Sequence, residues 1–96
     1  MNETISDKIA KRIIKEQELI IGPLAWSEAQ KVKGLHVVNV QRGEVHLENG
    51  DIKEIVDKLV AQYERLFGRA SREVCKEAVQ DLIAEMSPEE IPFSLK

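Results

Sequence analysis

The sequence predicts a helix-dominated α+β fold, in the order α-α-β-β-α-α, with one antiparallel β-hairpin packed on the helices. Apolar residues recur at three- and four-residue intervals in the stretches on either side of residues 36–48, and this spacing is typical of amphipathic helices. Between residues 36 and 48 the pattern changes to valine-rich alternation, which indicates paired strands. Because a two-stranded hairpin is not stable alone in water, its apolar face must be covered by the helices or by strands of another copy.

The first helix is predicted from Ile5 to Ile21, with its basic residues opposite the apolar side. Gly22 can adopt the left-handed conformation that ends a helix, and Pro23 suits the first turn of the next one. A short second helix is therefore expected from about Pro23 to Lys33, with Trp26 at the edge of its apolar side.

The two strands are expected at residues 36–41 and 44–48. If Arg42 and Gly43 form a two-residue loop, Val40 faces Val45 and Val38 faces Leu47 on one apolar side. Such a loop requires a positive φ at Arg42, so a longer loop with a bulge at Gly43 is the alternative.

The third helix follows a turn at Asn49, Gly50 and Asp51, where Asp51 and Glu54 resemble an acidic capping box. One narrow stripe holds all of its large apolar residues, and Gly68 ends it. A fourth helix is predicted from Ala70 or Ser71 to about Met86, with an apolar face close to half its circumference. Residues 87–96 are predicted to form an irregular tail of the single domain 1–96.

Composition excludes some classes of function. The net charge of −3 gives no attraction of the whole chain for polyanions, so nucleic-acid binding requires a local basic patch. Cys75 is the only cysteine, which excludes an internal disulfide and favours a reducing compartment, so we expect a cytoplasmic protein. The longest nearly apolar stretch, Leu19 to Trp26, is interrupted by Gly22 and Pro23, and we predict neither a signal peptide nor a membrane span.

The sequence shows no complete catalytic, cofactor or metal site, and we predict none. Cys75 shares a helix face with apolar residues, where burial would raise its pKa, so we interpret it as a structural thiol. In the expected register His36 points to the apolar face and His46 to the polar face, so a metal ion shared by the two is not expected.

We expect a non-enzymatic protein-interaction or regulatory module, forming a homodimer or binding an unknown protein. The first and fourth helices carry wider apolar faces than one small core needs. The candidate interface residues are Ile14, Ile21, Trp26, Val79 and Ile83. One alternative is a nucleic-acid-associated accessory protein, with a polyanion patch at Lys8, Lys11, Arg12 and Lys15. Another is a small enzyme subunit that needs a partner or cofactor.

Overall fold

The computed structural model describes residues 4–48 and 51–96 and confirms the helix-dominated α+β fold. The predicted turn at Asn49 and Gly50 lies outside these residues. The helices are α1 (Ile5–Ile21), α2 (Leu24–Ala29), α3 (Ile52–Phe67), α4 (Ala70–Ala78) and α5 (Gln80–Ile83). Strands β1 (Leu35–Asn39) and β2 (Glu44–Leu47) form the antiparallel hairpin. Within the described ranges no helix has the length and apolarity needed to cross a membrane.

Helix α1 begins at a capping box. The hydroxyl of Thr4 accepts the N–H of Asp7 at 3.0 Å, and Asp7 Oδ2 accepts the N–H of Thr4 at 3.2 Å. Asp7 is buried, and its Oδ1 also accepts the N–H of Leu47 at 3.0 Å. One carboxylate therefore holds the start of α1 and ties it to β2.

The core lies between α1, α3 and the helices that pack against them, α2 and α4. Ile5 and Ile52 line one concavity, so α1 and α3 begin at the same end of the molecule. Helices α4 and α5 run back along α1, because Gln17 bonds to Ser71 while Arg12 bonds to Asp81. The largest fully buried side chains of the core include Ile9, Ile13, Ile14, Val56, Leu59, Val60 and Tyr63 on the helices and Val79 between α4 and α5.

The predicted hairpin register is wrong. Leu35 pairs with Leu47, His36 with His46 and Val37 with Val45, and a bulge between Val37 and Asn39 shifts the pairing. Leu35, Val45 and Leu47 are buried against the helices, whereas Val38 is 63% exposed.

The loop explains the register. Among the described residues only glycines have positive φ. In the longer loop Gly43 has the positive φ, 68°, so Arg42 does not have to adopt one. The backbone of Gly43 also lies on the side chain of Lys15, where a Cβ would stand 2.6 Å from Lys15 Cε. The longer-loop alternative is therefore correct, although the bulge lies at Val38 rather than at Gly43.

The fourth predicted helix is interrupted. Helix α4 ends at Ala78, Val79 leaves the helical region with φ −122° and ψ 11°, and α5 continues for one turn. The guanidinium of Arg12 donates to the carbonyl of Ala78 at 3.3 Å. The predicted apolar face, close to half the circumference, assumed one continuous helix from Ala70 to Met86. Its predicted width is therefore too large.

The segment predicted as an irregular tail contains two 3₁₀ turns, Pro88–Glu90 and Phe93–Leu95. Ser94 donates its N–H and its hydroxyl to Asp57 Oδ1, at 2.9 and 2.6 Å. Leu95 is buried in the core. The end of the chain therefore packs on α3.

Candidate functional site

Most of the expected interface residues lie inside the chain. Ile14 and Val79 are fully buried, and Trp26 is 3% exposed, with its indole N–H donated to Glu18 at 2.8 Å. Ile21 and Ile83 are half-buried against the core. The expectation that these five residues form the interface fails for Ile14, Trp26 and Val79, because α2, α3 and α4 already cover the broad face of α1.

Other apolar side chains are exposed where α1 and α3 end. Leu19 is 80% exposed and Ile20 is 62% exposed. Leu24 at the start of α2 and Leu66 and Phe67 at the end of α3 are also exposed. We call these five residues, Leu19, Ile20, Leu24, Leu66 and Phe67, the apolar end.

A buried hydrogen bond connects α3 to α2 close to the apolar end. The hydroxyl of Tyr63 donates to the carbonyl of Ala25 at 2.6 Å. Ala25 follows Leu24 directly, and Phe67 lies one helical turn beyond Tyr63. Burial raises the pKa of Tyr63, so the phenol stays protonated and keeps donating. The sequence stripe of α3 did include Leu66 and Phe67, but periodicity alone could not show that the core ends one turn before them.

The four residues of the expected polyanion patch do lie together. Lys8, Lys11, Arg12 and Lys15 line one groove of about 430 Å³ with Glu16 and Leu82. Arg12 donates to Asp81 at 2.6 Å, and this hydrogen bond lowers the pKa of Asp81 and raises that of Arg12. One of the four basic groups is thus already paired with a carboxylate.

Cys75 is fully buried, as predicted. Desolvation raises its pKa to about 11, although the nearby amide of Gln17, 3.5 Å from Sγ, opposes the shift. The thiol is therefore protonated and inaccessible at neutral pH.

The two histidines are on the same face of the hairpin, which corrects the sequence interpretation. His36 and His46 are directly opposed on β1 and β2, and both side chains are exposed. The prediction that the two histidines point to opposite faces failed because it assumed the wrong register. His36 Nε2 lies 3.1 Å from Glu48 Oε1, and His46 Nδ1 lies 3.7 Å from Asp7 Oδ2. Across residues 4–48 and 51–96, no three histidine, cysteine or acidic side chains converge on a metal position.

The described surface thus has three candidate sites for binding or chemistry: the apolar end, the basic groove and the histidine pair. Each is formed by residues from more than one element of the chain. The chain matches no protein-family model, no curated protein and no solved structure.

Proposed function

We propose that this chain is a non-enzymatic protein-interaction module that forms a homodimer through its apolar end. The observation that carries the proposal is the exposure of Leu19, Ile20 and Leu24, three large apolar residues around the junction of α1 and α2. Apolar side chains exposed singly are ordinary, but a group at one end of a small protein is typical of an interaction surface. We also propose a reducing, cytoplasmic setting, which the single buried Cys75 supports.

A second copy is a suitable occupant because the apolar end can be self-complementary. In a twofold dimer, a residue on one copy contacts a different residue on the other, and the reverse contact forms by symmetry. Leu19 and Ile20 of one copy can then cover Leu66 and Phe67 of the other. Fully burying one leucine side chain is worth roughly 1.5–3 kcal/mol, and each of these side chains is already partly covered.

The charges around the apolar end also suit a copy of the same surface. Glu18, which also accepts the indole N–H of Trp26, lies near the end of α1, while Arg65 lies in the last turn of α3 and Arg69 directly precedes α4. A surface whose rim carries both signs can pair acidic groups of one copy with basic groups of the other. Such rim pairs set the orientation of the two copies more than they add affinity.

Sedimentation equilibrium over a hundredfold concentration range tests this function. We expect a concentration-dependent dimer for the wild type, and a monomer at every concentration for Leu19→Glu and Ile20→Glu. Both side chains project into solvent, so these variants should keep the fold. Phe93→Glu is the matched control, because Phe93 is 77% exposed but lies near Asp57 on another part of α3.

Circular dichroism of each variant verifies the fold before the masses are compared. A wild type that stays monomeric at the highest concentration would contradict the homodimer. Equal loss of the dimer in Phe93→Glu and Leu19→Glu would place the interface elsewhere.

The basic groove supports a second candidate function, binding of a nucleic acid. The supporting observation is that its four basic side chains line one concavity. We expect weak binding of duplex DNA that decreases with salt, by a slope of about 0.9 per phosphate contact. Replacing Lys8 and Lys15 together with glutamine should weaken it, while the same change at Lys33 and Lys58 removes equal charge elsewhere. Equal weakening by both pairs, or binding that is insensitive to salt, would count against this function.

A further inference from the structure

The opposed histidines lie on the solvent face of the hairpin. Directly opposed residues on antiparallel strands point to the same face, with Cβ atoms roughly 5 Å apart. The other face of the hairpin carries Leu35, Val45 and Leu47 and is buried. Both imidazole side chains therefore leave the same exposed face from opposed positions on the two strands.

Each imidazole has a carboxylate beside one ring nitrogen. Glu48 Oε1 lies 3.1 Å from Nε2 of His36. Asp7 Oδ2 lies 3.7 Å from Nδ1 of His46, which is an ion-pair distance rather than a hydrogen bond. A carboxylate at one nitrogen favours the tautomer that carries its proton there, and the lone pair is then on the other nitrogen.

We propose that His36 and His46 chelate a divalent ion of the late first-row metals, such as Zn²⁺ or Cu²⁺. The ligand atoms are Nδ1 of His36 and Nε2 of His46, and water completes the coordination. Glu48 orients the ring of His36 from the second shell, as carboxylates commonly do for metal-bound histidine, and the carboxylate of Asp7 lies at ion-pair distance from the ring of His46. This site is independent of the dimer proposed above.

The chemistry of the donors selects the class of metal. Imidazole nitrogen suits Zn²⁺, Cu²⁺ and Ni²⁺, and affinity for such a site rises toward Cu²⁺. Mg²⁺ prefers oxygen donors and gives up its water reluctantly, so it should not bind. With two protein ligands, the site should be much weaker than the four-ligand structural sites of zinc proteins.

Calorimetric titration of tag-free protein with ZnCl₂ and CuCl₂ tests the site, with MgCl₂ as the negative control. We expect one ion per chain and tighter binding of Cu²⁺ than of Zn²⁺. His36→Ala and His46→Ala should each weaken binding by about tenfold or more, because either change converts a chelate into a single contact. Glu48→Gln should weaken it less, since it removes only an orienting group.

Nitrogen-15 NMR of the imidazoles with Zn²⁺ identifies the atoms that bind. Shifts at Nδ1 of His36 and Nε2 of His46, saturating together, are the expected result. Binding that survives in the double variant His36→Ala/His46→Ala would overturn the proposal, as would a response from one ring alone. Repeating the titration on Leu19→Glu keeps the test separate from the dimer, because that monomer should bind Zn²⁺ with unchanged affinity.

Discussion

Gln17 shows how a polar side chain is accommodated in the core. It is fully buried, and its Nε2 donates to the carbonyl of Ser71 at 3.1 Å. Its Oε1 has no hydrogen-bond partner within the described parts of the chain. A buried oxygen without a partner costs roughly 1–3 kcal/mol of stability. This cost offsets part of the stability that the hydrogen bond of Gln17 Nε2 contributes.

We therefore expect Gln17→Met to raise the free energy of unfolding by about 1 kcal/mol. Methionine has a similar length and buries no unpaired oxygen. Ser71 lies in the first turn of α4, so its carbonyl can still accept a bond from the helix. Urea unfolding would measure the difference, and a loss of stability would mean that the oxygen is satisfied in solution.

Cys75 makes stability depend on pH in the alkaline range. Burial raises the pKa of its thiol from 9.0 to about 11, so the unfolded chain loses this proton first. The contribution of the thiol to stability is complete below pH 9 and is lost as the pH rises toward 11. Between pH 8 and 10 the wild type should lose about 1 kcal/mol more than Cys75→Ala, which has no thiol to titrate. Equal losses in the two proteins would contradict burial of the thiol, as would rapid thiol labelling at neutral pH.

At the scale of the element, α3 is the clearest agreement between pattern and structure. The middle of its predicted stripe, from Ile55 to Tyr63, is buried, whereas Leu66 and Phe67 at the end of the stripe are exposed. Asp51 accepts the N–H of Glu54 at its start, and Gly68 ends it with φ 91°. The apolar spacing, the N-cap at Asp51 and the terminating Gly68 all agree here. No tertiary contact was therefore needed to predict the helix.

Leu59→Ala should lower the free energy of unfolding by about 2–5 kcal/mol, because Leu59 is fully buried at the centre of α3 and truncation leaves a cavity. Leu66→Ala is the matched control on the same helix. Leu66 is exposed, so this change should cost well under about 1 kcal/mol. Denaturant melts compare the two, and similar losses would show that the core extends into the apolar end.

The hairpin register and the break after α4 could not be predicted from local pattern. The register goes with a four-residue loop in which Gly43 has the positive φ, and the backbone there lies against the side chain of Lys15, 28 positions earlier in the chain. The break at Val79 occurs where Arg12 reaches the carbonyl of Ala78. At both places α1 contacts a segment that is distant in the sequence, and periodicity within one segment does not contain such contacts.

At the scale of the whole molecule, α1 is the element that the rest of the fold is built around. It contacts α2, α3, α4 and β2. The apolar end combines the end of α1 and the start of α2, which are neighbours in the sequence, with the end of α3, which lies far along the chain. The basic patch could be predicted because its four residues lie on one helix, whereas the apolar end and the histidine pair required the assembled fold.

Tyr63→Phe tests the hydrogen bond that connects α3 to α2. Losing the hydrogen bond to Ala25 should cost about 1 kcal/mol of stability, because a typical intramolecular hydrogen bond contributes that much. The fold should otherwise remain, since the ring still fills its place in the core. Thermal unfolding followed by circular dichroism measures the change, and an unchanged stability would indicate that the hydroxyl is hydrated in solution.

The hydrogen bond from Leu47 to Asp7 bears on fibril formation. A two-stranded sheet has two edges, and unpaired N–H and C=O groups at an edge invite strands of other molecules. Asp7 occupies the N–H of Leu47 on the outer side of β2, so addition of a strand there is blocked. On the outer side of β1 the N–H of Leu35 already donates to the carbonyl of Val32 at 3.2 Å, and the bulge at Val38 interrupts the regular spacing of hydrogen-bonding groups. Stacking of this hairpin into extended cross-β assemblies is therefore disfavoured at both edges.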